Sequence, residues 1–365
     1  MRVLIAPDTF DGALSAVQAA RAIAEGWSRS APDDELDLVP MGDGGPGLVE
    51  VLHASLGGDL LGVTVTGPYG EPVPGSVLLV HETAYVEGAQ ACGLHLTPEV
   101  RRHPERAGSR GVGELVAAAL DTGARTVVVG VAGAGSNDGG AGLLAALVAV
   151  CEPAGALESG ADGLAALVSV DPVPARDRVG DVRLVVAGDA EGPLLGLTGT
   201  TSVSGPRRGV APDRLQAVDA LLERLAGATD RAVARQRGAG AGGGIGFALL
   251  LLGATHASGV ATVTGAVDLP GHAARADLVV TGEGAFDFAP GSGTVPRAVA
   301  AVAARALRPC IGLATRVHVG SRELRTWGIE SAYASQDLVG EEASLADPGG
   351  SLSALAERTA RTWSR

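Results

Sequence analysis

Gly130-Val-Ala-Gly-Ala-Gly-Ser-Asn-Asp-Gly-Gly-Ala-Gly142 is the stretch on which the reading of this chain turns. It follows the apolar run Thr126–Val129 and leads into Leu143–Val150, the pattern of strand, glycine-rich turn and helix. Glycines let backbone N–H groups approach a ligand closely, and a following helix N-terminus favours an anion. Only Ser136, Asn137 and Asp138 carry polar side chains here, and these add hydrogen bonding or a metal ligand. The plainer alternative is a tight turn in which Asp138 caps the helix.

Other strand ends repeat the theme. Arg2–Ala6 reads as a buried strand ending at Asp8, and Leu36–Val39 as another that leads to Met41-Gly-Asp43-Gly44-Gly45. Arg183–Ala187 delivers Asp189, and Asp277–Val280 runs into Thr281-Gly-Glu283-Gly-Ala-Phe-Asp287. In open parallel sheets, ligands bind outside the carboxyl edge. Acids delivered there beside glycines form a rim suited to a metal or to hydroxyl groups. Arg237–Gly246 holds a second glycine loop around Gly242 and Gly243, after a predicted helix over 213–236. A strand does not precede it, so a phosphate- or substrate-facing loop fits better than a dinucleotide fingerprint.

Helical spacing over 14–28, with Ser15 as cap, alternates with these strands and implies a parallel sheet covered by helices. From about residue 60 the texture becomes antiparallel: Val63–Thr66, Ser76–Val80 and Ala84–Glu87 are separated by Pro and Gly turns. The β-α-β grammar returns near residue 275. The expected organisation is therefore one domain from 1–60 plus 275–365, with 61–274 inserted.

Composition narrows the partners. A net charge of −13 argues against nucleic acid or an anionic membrane as a partner. All 28 basic residues are arginine, which excludes P-loop, Schiff-base and general-base lysines. Cys92, Cys151 and Cys310 have neither disulfide nor metal spacing, as expected of thiols in a reducing cytoplasm. The longest apolar run, Leu143–Cys151, is far short of the ~20 residues of a membrane span.

Seven stretches occur together: A-P-D-T-F-D-G-A-L-S-A at 6–16, M-G-D-G-G at 41–45, T-G-P-Y-G-E-P-V at 66–73, G-V-G-E-L at 111–115, G-S-N-D-G-G-A-G at 135–142, G-A-G-A-G-G-G-I-G at 238–246 and A-D-L-V-V-T-G-E-G at 276–284. In that order they resemble the bacterial glycerate kinase family of the glycerate 2-kinase type. The resemblance implies an α/β fold of two α/β domains, one flavodoxin-like with a parallel sheet and one an inserted mixed domain, with the site in a cleft between them. It implies ATP-dependent phosphorylation of D-glycerate with Mg²⁺ by a cytoplasmic monomer or homodimer. Carried over by position, Asp8, Asp43, Asp138 and Asp189 become the catalytic candidates. Gly44, Gly45, Ser136, Asn137, Gly139, Gly140, Arg207, Arg208, Gly242, Gly243, Glu283 and Asp287 become the substrate and nucleotide candidates. Asp189 and Glu283 become candidate metal ligands.

The chain also departs from the family pattern. Asp11 stands where the family has Lys, Pro46 and Leu48 where it has Glu and Thr, and Ala285, Ala289 and Thr294 where it has Arg, Gln and Lys. Glu191-Gly-Pro-Leu194 replaces Asp-Asn-Pro-Leu; Gly205-Pro-Arg207-Arg208-Gly209 keeps its cation. Phosphoryl transfer needs positive charge against the terminal phosphate. The departures therefore leave three readings open: an active glycerate kinase with rearranged arginines, a kinase of another small hydroxy acid, or an impaired paralogue that binds a metabolite or partner.

Overall fold

The computed structural model describes residues 1–97, 103–289 and 293–364. Its internal contacts divide the chain into two compact units. One comprises Met1–Asp43, Glu50–Gly57 and Val260–Arg365, the other Gly44–Val49 and Gly58–Gly259. The first unit opens with β1 (Arg2–Pro7) and β2 (Glu35–Leu38). The second contributes β3 (Asp59–Thr66), β4 (Pro72–Val80), β5 (Thr83–Glu87), β6 (Thr126–Gly130), β7 (Val150–Glu152), β8 (Ser169–Asp171), β9 (Arg183–Ala187) and β10 (Thr255–Ala257). The first then resumes with β11 (Leu278–Phe286), β12 (Cys310–Val317) and β13 (Ser331–Ala334).

In the first unit the strands pair in the order β13-β12-β11-β1-β2, every pair parallel. Central strands of such a sheet are covered on both faces, which is why β1 and the opening Leu278–Val280 of β11 read as apolar runs. The helix Ala16–Ser30 starts at a capping box: Gln18 N–H donates to Ser15 Oγ, and Ser15 N–H donates to the Gln18 side chain. Its apolar face, with Ile23 and Trp27, joins Val3, Ile5, Leu278, Ile311 and Leu355 in one core. Gly26 is required there, since a Cβ would lie 1.9 Å from the Ser353 carbonyl of the C-terminal helix Pro348–Trp363.

The second unit carries a six-stranded mixed sheet, β10-β9-β6-β5-β4-β3, and a two-stranded β7-β8 ribbon. The antiparallel pairs β3-β4 and β4-β5 are those expected from the change in texture; β5, β6, β9 and β10 run parallel. The helix Arg110–Asp121 packs Val112, Leu115 and Val116 into a core shared with Val86, Val127, Val129 and Val186.

Several expectations are revised. The helix expected over 213–236 stops at Ala228, because Thr229 leaves helical geometry and Asp230 folds back to accept from Ala232 N–H. The glycine turn feeds a six-residue helix, Ala141–Ala146, rather than one reaching Val150, and Val148 adopts a positive φ of 66°. Strand β11 does not end at Val280. It runs on through Glu283 to Phe286, fully buried, because Gly282 and Gly284 leave room for Phe10 and Asp11 to lie against it. Residues from Val260 onward, including the helix Leu269–Arg275, belong to the first unit. Among the described residues no helix is long and apolar enough to cross a membrane.

Candidate active site

Because β5, β6, β9 and β10 are parallel neighbours, their carboxyl ends form one edge. That edge gathers Glu87, the glycine turn after Gly130, Asp189 and Ser258. Asp138 pins the turn. It has no exposed surface, and its Oδ2 accepts from Ser109 N–H (2.9 Å), Ser109 Oγ–H (2.8 Å) and Gly142 N–H (3.1 Å), while Oδ1 accepts from Gly140 N–H (3.0 Å). Burial pushes its carboxyl above the usual range, against the pull of these donors. A group so enclosed is placed as a structural pin and not as a proton acceptor for a substrate. Ser109 stands at the N-cap position of Arg110–Asp121 but makes no capping bond there. Its hydroxyl instead links Asp138 to Leu143 N–H (3.1 Å).

The two glycine loops lean on each other. Gly139 N–H donates to the Gly243 carbonyl (3.0 Å), and a Cβ on Gly243 would sit 1.9 Å from the Ser136 carbonyl. Gly139, Gly140, Gly242 and Gly243 all have positive φ. For Gly242 and Gly243 the missing side chain permits backbone-on-backbone approach within the protein, whereas at Gly139 it makes room for the Leu222 and Leu225 side chains and at Gly140 for Ala248 and the Gly244 carbonyl. Gly44 plays the same part against the Ala187 carbonyl, 2.9 Å from where its Cβ would be, and Gly45 beside it is buried.

Two polar groups beside this turn are incompletely satisfied. Asn137 donates through Nδ2 to Thr201 Oγ1 (3.1 Å), while its buried Oδ1 has no hydrogen-bond partner. Such an orphan costs about 1–3 kcal/mol, and in native proteins it calls for an explanation. Arg208, only 7% exposed, donates through Nε to the Ala134 carbonyl (3.0 Å) and through Nη1 to Thr200 Oγ1 (3.4 Å). Burial, with Arg207 adjacent, pulls its pKa down to about 10, so it remains charged at neutral pH. No ion pair to Arg208 occurs among the described residues. A cavity of about 170 Å³ adjoins it, lined by Gly133, Ala134, Ala190, Arg207, Arg208 and Gly242 among others. Ser136 donates to Cys92 Sγ at 3.7 Å, and both are buried.

In the first unit, the carboxyl edge of the parallel sheet carries acids. Asp8 follows β1, Asp43 follows β2, and Glu283 lies in β11, where Pro7 pairs with Gly282. Burial, then Asp43 and then Glu283, push the Asp8 carboxyl up to about 8, opposed by the Thr9 N–H that donates to its Oδ1 at 2.7 Å. Glu283 takes the Gly293 N–H on both oxygens (2.8 and 3.1 Å), and Asp287 accepts from Ala289 N–H (2.8 Å).

One feature escaped the sequence. Arg316 of β12 is the register partner of Ala285 and pairs with Asp11 at 3.2 Å. A guanidinium therefore stands beside Asp11 and Ala285, two of the three positions that lack the family's cations. Only strand register, which no local motif encodes, could have revealed it.

For a divalent ion the donor set is of the right kind but sparse. Among the described residues, no three His, Cys, Asp or Glu side chains meet in metal-binding geometry. Asp189 accepts from Ser258 Oγ–H (2.5 Å) and Gly259 N–H (3.1 Å). This suits Mg²⁺, which is commonly held by one or two carboxylates together with substrate phosphates and water.

The profile of the glycerate kinase family matches residues 3–364. Glycerate kinase of Bacillus subtilis (strain 168) is 37% identical over 99% of this chain and 96% of its own length. Glycerate 2-kinase of Escherichia coli (strain K12) is 36% identical over 93% and 92%. A crystal structure assigned to a glycerate kinase 2 of Salmonella typhimurium LT2 superposes with a TM-score of 0.83 at 34% identity, covering 99% of this chain and 98% of that one.

Proposed function

We propose, from the premise that this chain belongs to the glycerate kinase family, that it transfers the terminal phosphoryl group of ATP to a hydroxyl of D-glycerate. The observation that carries the mechanism is Asp8, a carboxyl at a sheet's carboxyl edge whose pKa is raised to about 8 by burial and two acid neighbours. A proton acceptor works best when its pKa lies near the operating pH. In this reading Asp8 takes the acceptor's hydroxyl proton as the oxygen–phosphorus bond forms and the bond to the departing ADP breaks. Asp43 keeps Asp8 basic. Asp189 or Glu283 would be the carboxylate to hold Mg²⁺, which would supply neutralising charge for the phosphates. Ser136, Gly44 and Gly45 shape the walls, and Arg207 and Arg208 supply positive charge in place of lysine.

Coupled measurement of ADP release with ATP, Mg²⁺ and D-glycerate tests the proposal. Turnover that depends on D-glycerate and collapses in Asp8→Asn supports it. Turnover only with a different short hydroxy acid moves the substrate assignment. A thermal shift with D-glycerate but no turnover replaces the enzyme with a metabolite-binding paralogue.

A further inference from the structure

We propose that two copies of this chain join through β3, pairing antiparallel about a two-fold axis at Gly62, so that their six-stranded sheets run on as one. The inference stands apart from the kinase reading and needs nothing from it.

Strand β3 is the outermost strand of its sheet and pairs with β4 alone. That pairing runs from Asp59↔Leu79 to Thr66↔Pro72 without a bulge. At eight residues β3 is longer than the usual strand of about five or six. Exposed edge strands ordinarily carry a lysine, a proline or a bulge that deters a second strand. Leu60–Thr66 carries no charge and no proline. Leu60 and Leu61 are 51% and 41% exposed.

Which peptide groups face outward follows from β4. Antiparallel residues alternate between pairs that exchange hydrogen bonds and pairs whose peptide groups point away from each other. Pro72 and Pro74 have no N–H to exchange, so Thr66 and Thr64 opposite them turn their peptide groups outward. Thr66 N–H indeed donates to Glu114 Oε2 (2.6 Å), off the ladder. Ser76 N–H, opposite Gly62, likewise leaves the ladder and donates to Gln90 Oε1 (2.7 Å). By alternation Gly62 and Leu60 also point outward. Leu60, Gly62 and Thr64 therefore present three N–H and three C=O groups with no partner among the described residues.

This row is its own complement, which singles out a second copy as the occupant. Setting Gly62 opposite its own copy sets Leu60 opposite Thr64 of the second chain, and all these groups exchange hydrogen bonds. Sliding the second strand by two residues brings in either Thr66, whose N–H is already taken, or Gly58, which lies outside the strand. Charge agrees with this register. Asp59, the strand's one charge, meets Val65 of the second copy. Leu61 meets Val63 of the second copy at a groove of about 570 Å³, whose walls include Val63, Val65, Ala117 and Ala118. The acids beside that groove are paired within their own chain, Glu114 with Arg110 (3.1 Å) and Asp121 with Arg178 (2.5 Å).

Sedimentation velocity and oxidative cross-linking on the full chain test the proposal. Wild type should sediment at twice 36.2 kDa. Leu61→Lys, at an exposed position, should weaken self-association by at least about tenfold, through the loss of one buried leucine side chain. Gly62→Pro removes the N–H at the axis and should sediment as a monomer; if it fails to fold, Leu61→Lys decides alone. Gly62→Cys should form a covalent dimer under mild oxidation, because residue 62 alone on the strand faces its own copy. Asp59→Cys should not, since its two copies lie roughly 20 Å apart in this register. Wild type, in which Cys92 and Cys310 are buried, is the control. A wild type that stays monomeric at about 100 μM, too weak for a specific homodimer, overturns the proposal. So does a dimer that Leu61→Lys leaves intact, a Gly62→Cys that fails to cross-link, or an Asp59→Cys that cross-links as readily.

Discussion

Replacing Asp8 with Asn should stabilise the protein while crippling it. An exposed carboxyl in the unfolded chain titrates near 3.8, whereas folding raises Asp8 to about 8. The folded state therefore holds a proton that the unfolded state has released between those values. Whatever stability the protonated carboxyl confers is complete below pH 4 and drains away as pH climbs towards 8. At 1.36 kcal/mol per pKa unit, the upper bound on that loss at pH 8 is about 5 kcal/mol. Mutual adjustment among Asp8, Asp43 and Glu283 makes the measured loss smaller than that bound. Asparagine is nearly isosteric, carries no charge, and retains an oxygen for the Thr9 N–H. Urea denaturation of wild type and Asp8→Asn from pH 4 to pH 9 measures the effect. The curves should meet near pH 4 and diverge upward, with the variant more stable at pH 8. In the same variant, turnover should fall by about 10²–10⁴, the typical contribution of a general base. The limb of the pH–rate profile that rises towards 8 should also vanish. A variant that is less stable at pH 8, or a stability gap that does not change with pH, refutes the assignment of Asp8 as a carboxyl strained by burial and acid neighbours.

Ser109→Ala should lower stability by about 2–4 kcal/mol, because it removes a donor from the buried Asp138 charge and an acceptor from Leu143 N–H; a melting temperature within a degree of wild type would show that Asp138 does not pin the turn. Gly243→Ala should cost roughly 2–5 kcal/mol, from an unfavourable left-handed φ of 72° and a Cβ 1.9 Å from a carbonyl, and an ordinary denaturation midpoint would refute the backbone-on-backbone account of this loop. Chelation with EDTA should abolish turnover yet leave the nucleotide-free melting curve in place, since the described side chains alone assemble no three-ligand metal centre; a marked drop in melting temperature on chelation would point to a resident ion instead.

Much of the architecture was legible because its signals are local. Arg183–Ala187 was legible to the residue and Thr126–Val129 to within one, as runs of apolar, mostly β-branched residues. Ser15 was legible as a cap because a capping box is contained within four residues. What misled was glycine. In Thr281–Phe286 it resembles a strand end, yet there it thins a central strand so that Phe10 and Asp11 can lie against it. In the turn after Gly130 it suggests a ligand cradle, yet much of it serves contact with the second glycine loop. One sequence signal fits both uses, and only the neighbouring chain decides between them. Arg316 was illegible for a related reason: its place beside Ala285 is set by which strands pair, not by any spacing along the chain.

Those two imbalances of charge have the same logic. In one unit, Asp8 is perturbed chiefly by acids, and its proton is retained near neutrality because releasing it would add charge beside Asp43 and Glu283. In the other, Arg208 is buried with carbonyl and hydroxyl partners and no carboxylate. A sequence selected for stability alone would relieve both, by Asn at position 8 and an apolar residue at 208, since buried unpaired charge is among the most destabilising features a fold can carry. An acid that needs a cation or a proton and an arginine that needs an anion are what a phosphoryl transfer between anionic partners requires. On the kinase reading proposed above, Asp8→Asn and Arg208→Gln should each lower turnover while the unit that carries the change keeps its fold, which ADP release measured beside a urea melt of each variant checks.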